Sequence, residues 1–440
     1  MTGNRTRRLD WPALALAACL LLPAGPGHAA ARGGEAGLPM TKPERVGMSA
    51  ERLERISQLT RRYVEEGKLA GAVTLVARRG KVVHFDAVGQ ADLNAGTPMT
   101  TDTLFRIYSM TKPITAVAAM MLYEEGAFQL SDPIAKFLPE LAELEVLQED
   151  GSRVAAAPIT MQQLLSHTAG FSYGFNPRDP LDQLYREAAL MQSADLNEFV
   201  DRLATLPLKF QPGSRWHYSV AVDVTGAIVE RISGQPFDEF LTQRLFEPLG
   251  MRDTFFGVPQ DKAQRFGTNH RYDREAGALV VLAEESFVRY QDPTLFSGGG
   301  GLVSTAADYA RFAEMLRAGG SLDGERILSP KTIELMTMNH LPTLVSASGS
   351  GETPAVGALG GYSGAGFGLG FAVVTDVPAN RVIGSVGEYS WGGAAGTIFW
   401  VDPVEELLVV AMIQLMGSPW GLRNEMKALT YQAITELSPR

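Results

Sequence analysis

The sequence predicts a mixed α/β (α+β) fold, in which an antiparallel sheet built from both termini is flanked by helices and a largely helical lobe is inserted between its two parts. Three observations support this prediction. A helix and a hairpin lie near the start, strand signals nearly vanish in the middle, and several strands and a last helix lie near the end. Such a sequence of elements is typical of helices packed on an antiparallel sheet.

The first elements lie before residue 126. Apolar residues recur at helical spacing over residues 49–66, which predicts an amphipathic helix. The apolar runs 71–77 and 81–85 flank a turn that ends in Gly80, and they predict a β-hairpin. The Ala-rich run over residues 113–123 predicts the next helix.

The later elements define the two lobes. Helical patterns separated by Pro- and Gly-rich loops dominate residues 126–294, the expected helical lobe. The sheet lobe is expected to comprise residues 45–125 and 295–440. In its second part we expect two helices, over 306–318 and 421–437, and four strands, over 370–375, 381–386, 396–401 and 407–414. Residues 343–366, rich in Ser, Gly and Ala, are expected to form a mobile loop.

Composition excludes several classes of function. The 440 residues are 45% hydrophobic, enough for a substantial core, and the net charge of −10 disfavours nucleic acid as a partner. The six histidines are scattered, and the one cysteine stands apart from them. We therefore predict no metal site and no cofactor.

Residues 1–31 resemble an export signal. Three arginines precede an apolar run over residues 11–22 that is too short to span a bilayer, and small residues follow at 29–31. We therefore expect residues 32–440 to form an exported mature chain, periplasmic or secreted, without stable membrane insertion. Lipoprotein anchoring through Cys19, a twin-arginine signal and a retained membrane anchor are the alternatives.

Ser109-Met110-Thr111-Lys112 is the only Ser-x-x-Lys in the chain, and it lies where a helix is expected to begin. Pro113 fits only the first turn of a helix, so Ser109 lies at the N-terminus with Lys112 one turn later on the same face. A serine hydroxyl needs an adjacent base, and a buried lysine amine can be that base because burial lowers its pKa. We predict Ser109 as nucleophile and Lys112 as base.

Two further segments are candidates for the same site. Tyr218 precedes the expected helix 219–233, and we expect it to share a proton with Ser109, its pKa being lowered by the neighbouring cation of Lys112. The backbone N–H of Ala394 is a candidate to join that of Ser109 in an oxyanion hole. Ala394 follows Trp391-Gly392-Gly393, a Gly-rich segment expected to bind substrate between two late strands. An aromatic packing residue and an ordinary hairpin turn are the alternative interpretations.

Together, Ser109-x-x-Lys112, Tyr218-Ser219 and Trp391-Gly392-Gly393 resemble the family VIII carboxylesterases. These belong with class C β-lactamases and D,D-peptidases to the penicillin-recognising serine hydrolases. Residues 165–170, 298–306 and 367–371 are similar to further segments of that superfamily. The resemblance implies a β-lactamase/transpeptidase-like fold and a serine hydrolase that forms an acyl-enzyme on Ser109.

Two departures from the superfamily bear on the substrate. Val220 stands where β-lactamases and peptidases carry Asn, and Trp391 stands where they carry the Lys of Lys-Thr-Gly. Because that lysine binds the substrate carboxylate, tryptophan, expected as an apolar wall of the cleft, favours a neutral ester. We expect the substrate to be a small-molecule ester with a short acyl chain. Arg106 and Arg215 are candidates for a replacement cation. A β-lactamase or D-amino-acid peptidase, an acyltransferase and a non-catalytic binding protein are the alternatives; the oligomeric state is not indicated.

Two other motifs have structural interpretations. Gly170-Phe171-Ser172-Tyr173-Gly174 matches the G-x-S-x-G elbow of another hydrolase fold, but that elbow needs a preceding strand and a following helix. A helical run precedes it here, so Ser172 is not the expected nucleophile. The Gly-rich segment 298–301 lacks a following Gly-Lys-Ser/Thr, and we expect a tight crossing of the chain rather than a phosphate loop.

Overall fold

The computed structural model describes residue 1 and residues 37–282, 289–341 and 364–439. The expected export signal with Cys19 and most of the expected mobile loop 343–366 lie outside the described residues. The strands are β1 (Gly71–Arg78), β2 (Lys81–Asp92), β3 (Thr97–Pro98), β4 (Phe105–Arg106), β5 (Glu145–Leu147), β6 (Arg153–Ala155), β7 (His270–Asp273), β8 (Ala278–Val281), β9 (Val303–Ser304), β10 (Ser321–Leu322), β11 (Glu325–Arg326), β12 (Ala365–Phe367), β13 (Ala372–Val374), β14 (Tyr389–Gly392), β15 (Ile398–Asp402), β16 (Leu407–Met412) and β17 (Leu415–Met416).

The α-helices are α1 (Ala50–Glu65), α2 (Thr111–Glu124), α3 (Met161–Leu165), α4 (Pro180–Glu187), α5 (Leu196–Ala204), α6 (Ala221–Ser233), α7 (Phe237–Leu241), α8 (Glu247–Leu249), α9 (Ala306–Arg317), α10 (Pro330–Met336), α11 (Val377–Asn380) and α12 (Leu422–Tyr431). A π-helical turn joins α7 to α8 over Thr242–Phe246, and a 3₁₀ turn over Tyr108–Met110 leads directly into α2. Within the described ranges no helix is both long and apolar enough to cross a bilayer.

The main sheet confirms the prediction that both termini build it. Its eight strands lie in the order β12-β13-β14-β15-β16-β1-β2-β3, and every pair is antiparallel. Strand β1 lies at the junction, with Val73 opposite Met412 and Arg78 opposite Leu407 of β16. The first hairpin is thereby joined to the last strands of the chain.

The sheet is covered on both faces. Val73 and Leu75 of β1 face the larger core, which includes the apolar residues of α2 and α9. Ala72 and Val76 face a second core with α1 and α12. Because β1 is buried on both faces, its residues 71–77 are apolar with the single exception of Thr74 instead of alternating with polar ones. Helix α1 begins as expected, with the Ser49 hydroxyl accepting a hydrogen bond from the Arg52 N–H.

Two expectations about strands are corrected. Residues 381–386 form no strand: α11 ends at Asn380, Arg381 has a φ of 59°, and the strand of this region is β14. Trp391 therefore lies on a strand and not in a loop between strands. The middle segment also carries two hairpins, β5–β6 and β7–β8, although helices make up most of its regular structure.

Candidate active site

Ser109 lies in the 3₁₀ turn that precedes α2, as the position of Pro113 predicted. The residue before it, Tyr108, has a φ of 43°, which is unusual for a residue with a side chain. The Tyr108 side chain is buried, and its hydroxyl accepts a hydrogen bond from Asn269 Nδ2 at 2.8 Å. The backbone leading to Ser109 is thus held in an uncommon conformation.

Lys112 is buried beside Ser109. Its Nζ lies 3.3 Å from Ser109 Oγ and donates to the Gly299 carbonyl at 2.6 Å and to the Tyr173 hydroxyl at 2.8 Å. Burial lowers the Lys112 pKa to about 7, against the opposing charge of Asp223. A neutral amine has two hydrogens and one lone pair. With both hydrogens engaged elsewhere, the lone pair is left for the serine hydroxyl.

Tyr218 also reaches Ser109: its hydroxyl donates to Ser109 Oγ at 2.6 Å. The prediction that a neighbouring cation lowers the Tyr218 pKa is wrong, because burial raises it. Lys112 Nζ lies over the ring, 4.6 Å from its centroid. Tyr218 therefore stays protonated at neutral pH and acts as a hydrogen-bond donor to the serine.

The segment that carries Tyr218 is held by His167, which has a φ of 56° and is fully buried. The His167 carbonyl accepts a hydrogen bond from the His217 N–H at 2.9 Å, and its Nδ1 lies 3.4 Å from Ser219 Oγ. Its ring centroid is 4.9 Å from that of Tyr218. Burial keeps the His167 pKa well below its ordinary value, so the imidazole adds no charge.

Tyr173 and Asp223 are parts of the site that the sequence analysis missed. The Tyr173 hydroxyl donates to Asp223 Oδ2 at 3.2 Å while accepting from Lys112. Asp223, on α6, also accepts from Ser297 Oγ at 2.5 Å and from the Gly299 N–H at 3.0 Å. The available signal was an acidic residue between two valines near the start of the expected helix, five residues after Tyr218.

The Gly-rich segment 298–301 has the expected tight packing and one further role. A Cβ on Gly299 would lie 2.2 Å from Asp223 Oδ2 and 2.6 Å from the Tyr173 hydroxyl, so only glycine fits. This close approach is what places the Gly299 carbonyl against Lys112 Nζ. The sequence analysis did not assign this segment to the site.

Ser172 has the contacts of a structural residue. It is 1% exposed, and its hydroxyl donates to Asp182 Oδ1 at 2.5 Å. His217 Nε2 lies 3.3 Å away, but the serine proton is already given to the carboxylate. The same hydroxyl accepts from the Gly174 N–H at 3.2 Å, which fixes the loop after Tyr173.

Two residues of the segment Trp391-Gly392-Gly393 pack against other parts of the protein. Trp391 is 1% exposed, and its ring packs on those of Tyr218 and Phe367 with centroids 5.4 and 5.3 Å away. It supports Tyr218 rather than forming an apolar wall of the cleft. A Cβ on Gly392 would lie 2.1 Å from Arg423 Nη2, so its close neighbour is a protein guanidinium rather than a ligand.

The turn after Gly392 lies against the segment that leads to Ser109. A Cβ on Gly393 would lie 2.5 Å from the Ile107 carbonyl oxygen and 2.2 Å from Thr397 Oγ1, which itself donates to that carbonyl at 3.3 Å. Ala394, at the tip of the turn, is exposed. Within the described part of the chain its N–H makes no hydrogen bond. Among the described residues this donor is therefore left without a partner.

The two candidate cations differ in burial. Arg106 is buried, donates to the Gly267 carbonyl at 2.7 Å and lies over the Phe266 ring at 3.9 Å, whereas Arg215 is exposed. Among the residues whose placement is described, no group of three or more His, Cys, Asp or Glu side chains is arranged to hold a metal ion.

Comparisons with known proteins give one family. The family profile described as Beta-lactamase matches residues 56–432, a range that includes every site residue above. Protein Rv1367c of Mycobacterium tuberculosis is 39% identical over 364 residues, 80% of this chain and 88% of that protein. Esterase EstB of Burkholderia gladioli is 33% identical over 369 residues, 79% of this chain and 87% of the esterase. The structure of EstCE1, described as a hydrolase with promiscuous acyltransferase activity, matches with a TM-score of 0.73 at 28% identity, covering 88% of this chain and 99% of that chain.

Proposed function

The chain belongs to the β-lactamase superfamily of serine hydrolases, with the family VIII carboxylesterases, and on that premise we propose that it hydrolyses short-chain acyl esters through an acyl-enzyme on Ser109. One observation carries the proposal: Ser109 Oγ lies 3.3 Å from Lys112 Nζ and 2.6 Å from the Tyr218 hydroxyl. The similarity to esterase EstB supports an ester as substrate.

In acylation, Ser109 Oγ attacks the ester carbonyl carbon and gives its proton to the neutral amine of Lys112. The oxyanion accepts hydrogen bonds from the backbone N–H groups of Ser109 and Ala394. The bond between the acyl carbon and the alcohol oxygen then breaks, and the alcohol oxygen takes a proton from the Tyr218 hydroxyl. The proton held by Lys112 then passes to the phenolate of Tyr218 and restores the phenol, so the net transfer is one proton from the serine to the alcohol.

Deacylation repeats these steps with water. The neutral amine of Lys112 takes a proton from water, whose oxygen attacks the acyl carbon, and Ser109 regains its proton as the carboxylic acid leaves. Acyl transfer, with an alcohol in place of water, is the second candidate function. It is favoured by the similarity to EstCE1, a hydrolase with promiscuous acyltransferase activity.

A penicillin-like substrate is a poorer fit to this site. Its carboxylate needs a cation to offset the lost hydration, and the superfamily lysine is replaced by Trp391. Side chains alternate across a strand, so Arg423, which contacts Gly392, lies on the opposite face of β14 from Trp391. It does not occupy the position of the lysine.

A substrate panel tests the proposal. The purified protein, with its Ser109→Ala and Ser172→Ala variants, is assayed on short- and long-chain p-nitrophenyl esters, a chromogenic cephalosporin and a D-Ala-D-Ala peptide. We expect the highest kcat/KM on short-chain esters, no turnover or fluorophosphonate labelling in Ser109→Ala, and both retained in Ser172→Ala. A cephalosporin kcat/KM equal to that for p-nitrophenyl butyrate favours the β-lactamase alternative, and labelling of folded Ser109→Ala contradicts the nucleophile.

A further inference from the structure

Phe175 is an exposed aromatic residue at the outer end of a row of rings that leads to Ser109. It is 54% exposed, and its ring stacks on that of Tyr173 with centroids 5.0 Å apart and 16° between the planes. The Tyr173 ring lies 5.3 Å from that of Tyr218, whose hydroxyl contacts the serine. The open face of Phe175 thus extends an aromatic surface that begins at the proposed nucleophile.

The loop that carries Phe175 is fixed on both sides of the ring. Arg186 Nη1 donates to the Gly174 carbonyl at 2.8 Å and to the Asn176 carbonyl at 3.0 Å. The Asn176 N–H donates to Asp182 Oδ2 at 2.8 Å, and Asp182 is buried. A large apolar ring is therefore held toward solvent by polar contacts of the exposed Arg186 and the buried Asp182, which leaves its open face available to a ligand.

The position of the Tyr173–Phe175 pair relative to Lys112 and Tyr218 indicates which part of the substrate the pair faces. In the proposed mechanism the alcohol oxygen must lie within hydrogen-bond reach of Tyr218, while the carbonyl oxygen points to the N–H groups of Ser109 and Ala394. The Tyr173 hydroxyl contacts Lys112 Nζ at 2.8 Å, so the stacked pair Tyr173–Phe175 lies beside the proton-transfer groups. It therefore borders the alcohol portion of the ester.

Building on the proposed esterase function, we propose that Phe175 and Tyr173 form a subsite for the alcohol portion of the ester, and that this portion is apolar and carries a ring, as in a benzyl ester. A flat ring offers offset stacking on Phe175, which a short alkyl group does not. The residue is a specificity determinant and takes no part in proton transfer.

The test separates the alcohol from the acyl part of the ester. Wild type, Phe175→Ala and Phe175→Leu are assayed on ethyl acetate, benzyl acetate and ethyl phenylacetate, whose leaving alkoxides are of similar basicity. We expect Phe175→Ala to lower kcat/KM for benzyl acetate by roughly 2- to 10-fold relative to ethyl acetate, since an aromatic pair contributes about 0.5–1.5 kcal/mol. Phe175→Leu should lower this ratio in the same direction, because it keeps apolar volume without a ring.

The matched control is Val404→Ala, an exposed apolar residue of the turn between β15 and β16, which should leave all ratios unchanged. Three results overturn the subsite: an unchanged benzyl-to-ethyl ratio in both Phe175 variants, an equal loss on all three esters, or a selective loss on ethyl phenylacetate, which would place the ring on the acyl side. Failure of wild type to hydrolyse any ester would instead remove the esterase function on which the subsite rests.

Discussion

At the residue scale, one physical effect moves two pKa values of the candidate site in opposite directions. Burial disfavours the charged form of any group, so it lowers the pKa of Lys112 to about 7 and raises that of Tyr218. Both shifts suit the proposed chemistry, because the lysine is available as a neutral acceptor while the tyrosine remains a donor. The expected lowering of the Tyr218 pKa by a neighbouring cation has the wrong sign, because burial outweighs it.

The charge of Asp223 should set the pH at which the site becomes active. Asp223 raises the Lys112 pKa, so Asp223→Asn should lower it. Since the neutral amine is the active form in the proposed mechanism, the acidic limb of the kcat/KM profile should move to lower pH, by about one unit. The measurement is the pH dependence of kcat/KM on one short-chain ester.

The control for this prediction is Asp308→Asn, which removes a buried carboxylate that contacts Asp253 and Thr254 instead of the site. Its acidic limb should coincide with that of wild type. A shift of the Asp223→Asn limb to higher pH, or no shift in a folded variant, would contradict the assignment of the limb to Lys112.

At the element scale, the candidate site is assembled where segments distant in the sequence meet the N-terminus of α2. The 3₁₀ turn before α2 supplies the serine, the segment before α6 supplies Tyr218, and the turn after β14 lies on the Ile107 carbonyl. Sequence periodicity predicted most of these elements to within a few residues. Periodicity missed β14, because a four-residue strand next to glycines is too short to show a clear alternation of apolar and polar residues.

Gly393→Ala should impair catalysis more than stability. The added methyl group would meet the Ile107 carbonyl oxygen and Thr397 Oγ1, and this turn must then move away from Ser109. Displacing the Ala394 N–H from the oxyanion should lower kcat by roughly 100-fold, as loss of one such donor does. Steady-state kinetics and a thermal melt of the same preparation measure the two effects.

Gly421→Ala is the matched glycine control, since a Cβ there meets no atom within 4 Å. It should keep wild-type kcat. If Gly393→Ala also keeps a near wild-type kcat, the turn after β14 does not form the oxyanion site.

At the scale of the whole molecule, a buried arginine joins segments from the early and the late part of the chain. Arg78, on β1, is 0% exposed and donates to the Val46 and Gly47 carbonyls at 3.1 and 2.9 Å. It also donates to the Glu405 carbonyl at 2.9 Å and to Glu405 Oε2 at 2.7 Å. One side chain therefore joins the first segment, the first strand and the turn before β16.

Arg78→Met should lower the free energy of unfolding by about 3–5 kcal/mol, because Glu405 is then left buried without its partner. The neighbouring variant Arg79→Met removes an arginine whose pair with Glu406 is only partly buried, and it should cost at most about 1 kcal/mol. Urea unfolding measures both variants, and kcat of the folded protein should be unchanged in each. If both variants lose the same free energy of unfolding, the buried contacts of Arg78 stabilise the fold no more than the partly exposed pair of Arg79.

The sequence by itself determined the order of elements, the sheet built from both termini and the positions of Ser109 and Lys112, because these depend on local periodicity and on where proline can stand in a helix. Only the tertiary structure decided the surroundings of the lysine. Tyr173, Asp223 and the Gly299 carbonyl come from distant segments, and the burial of Trp391 depends on Phe367 and Tyr218 across the fold. A pKa is set by solvent exclusion and by charges near in space, and neither is a property of residues that are neighbours in the chain.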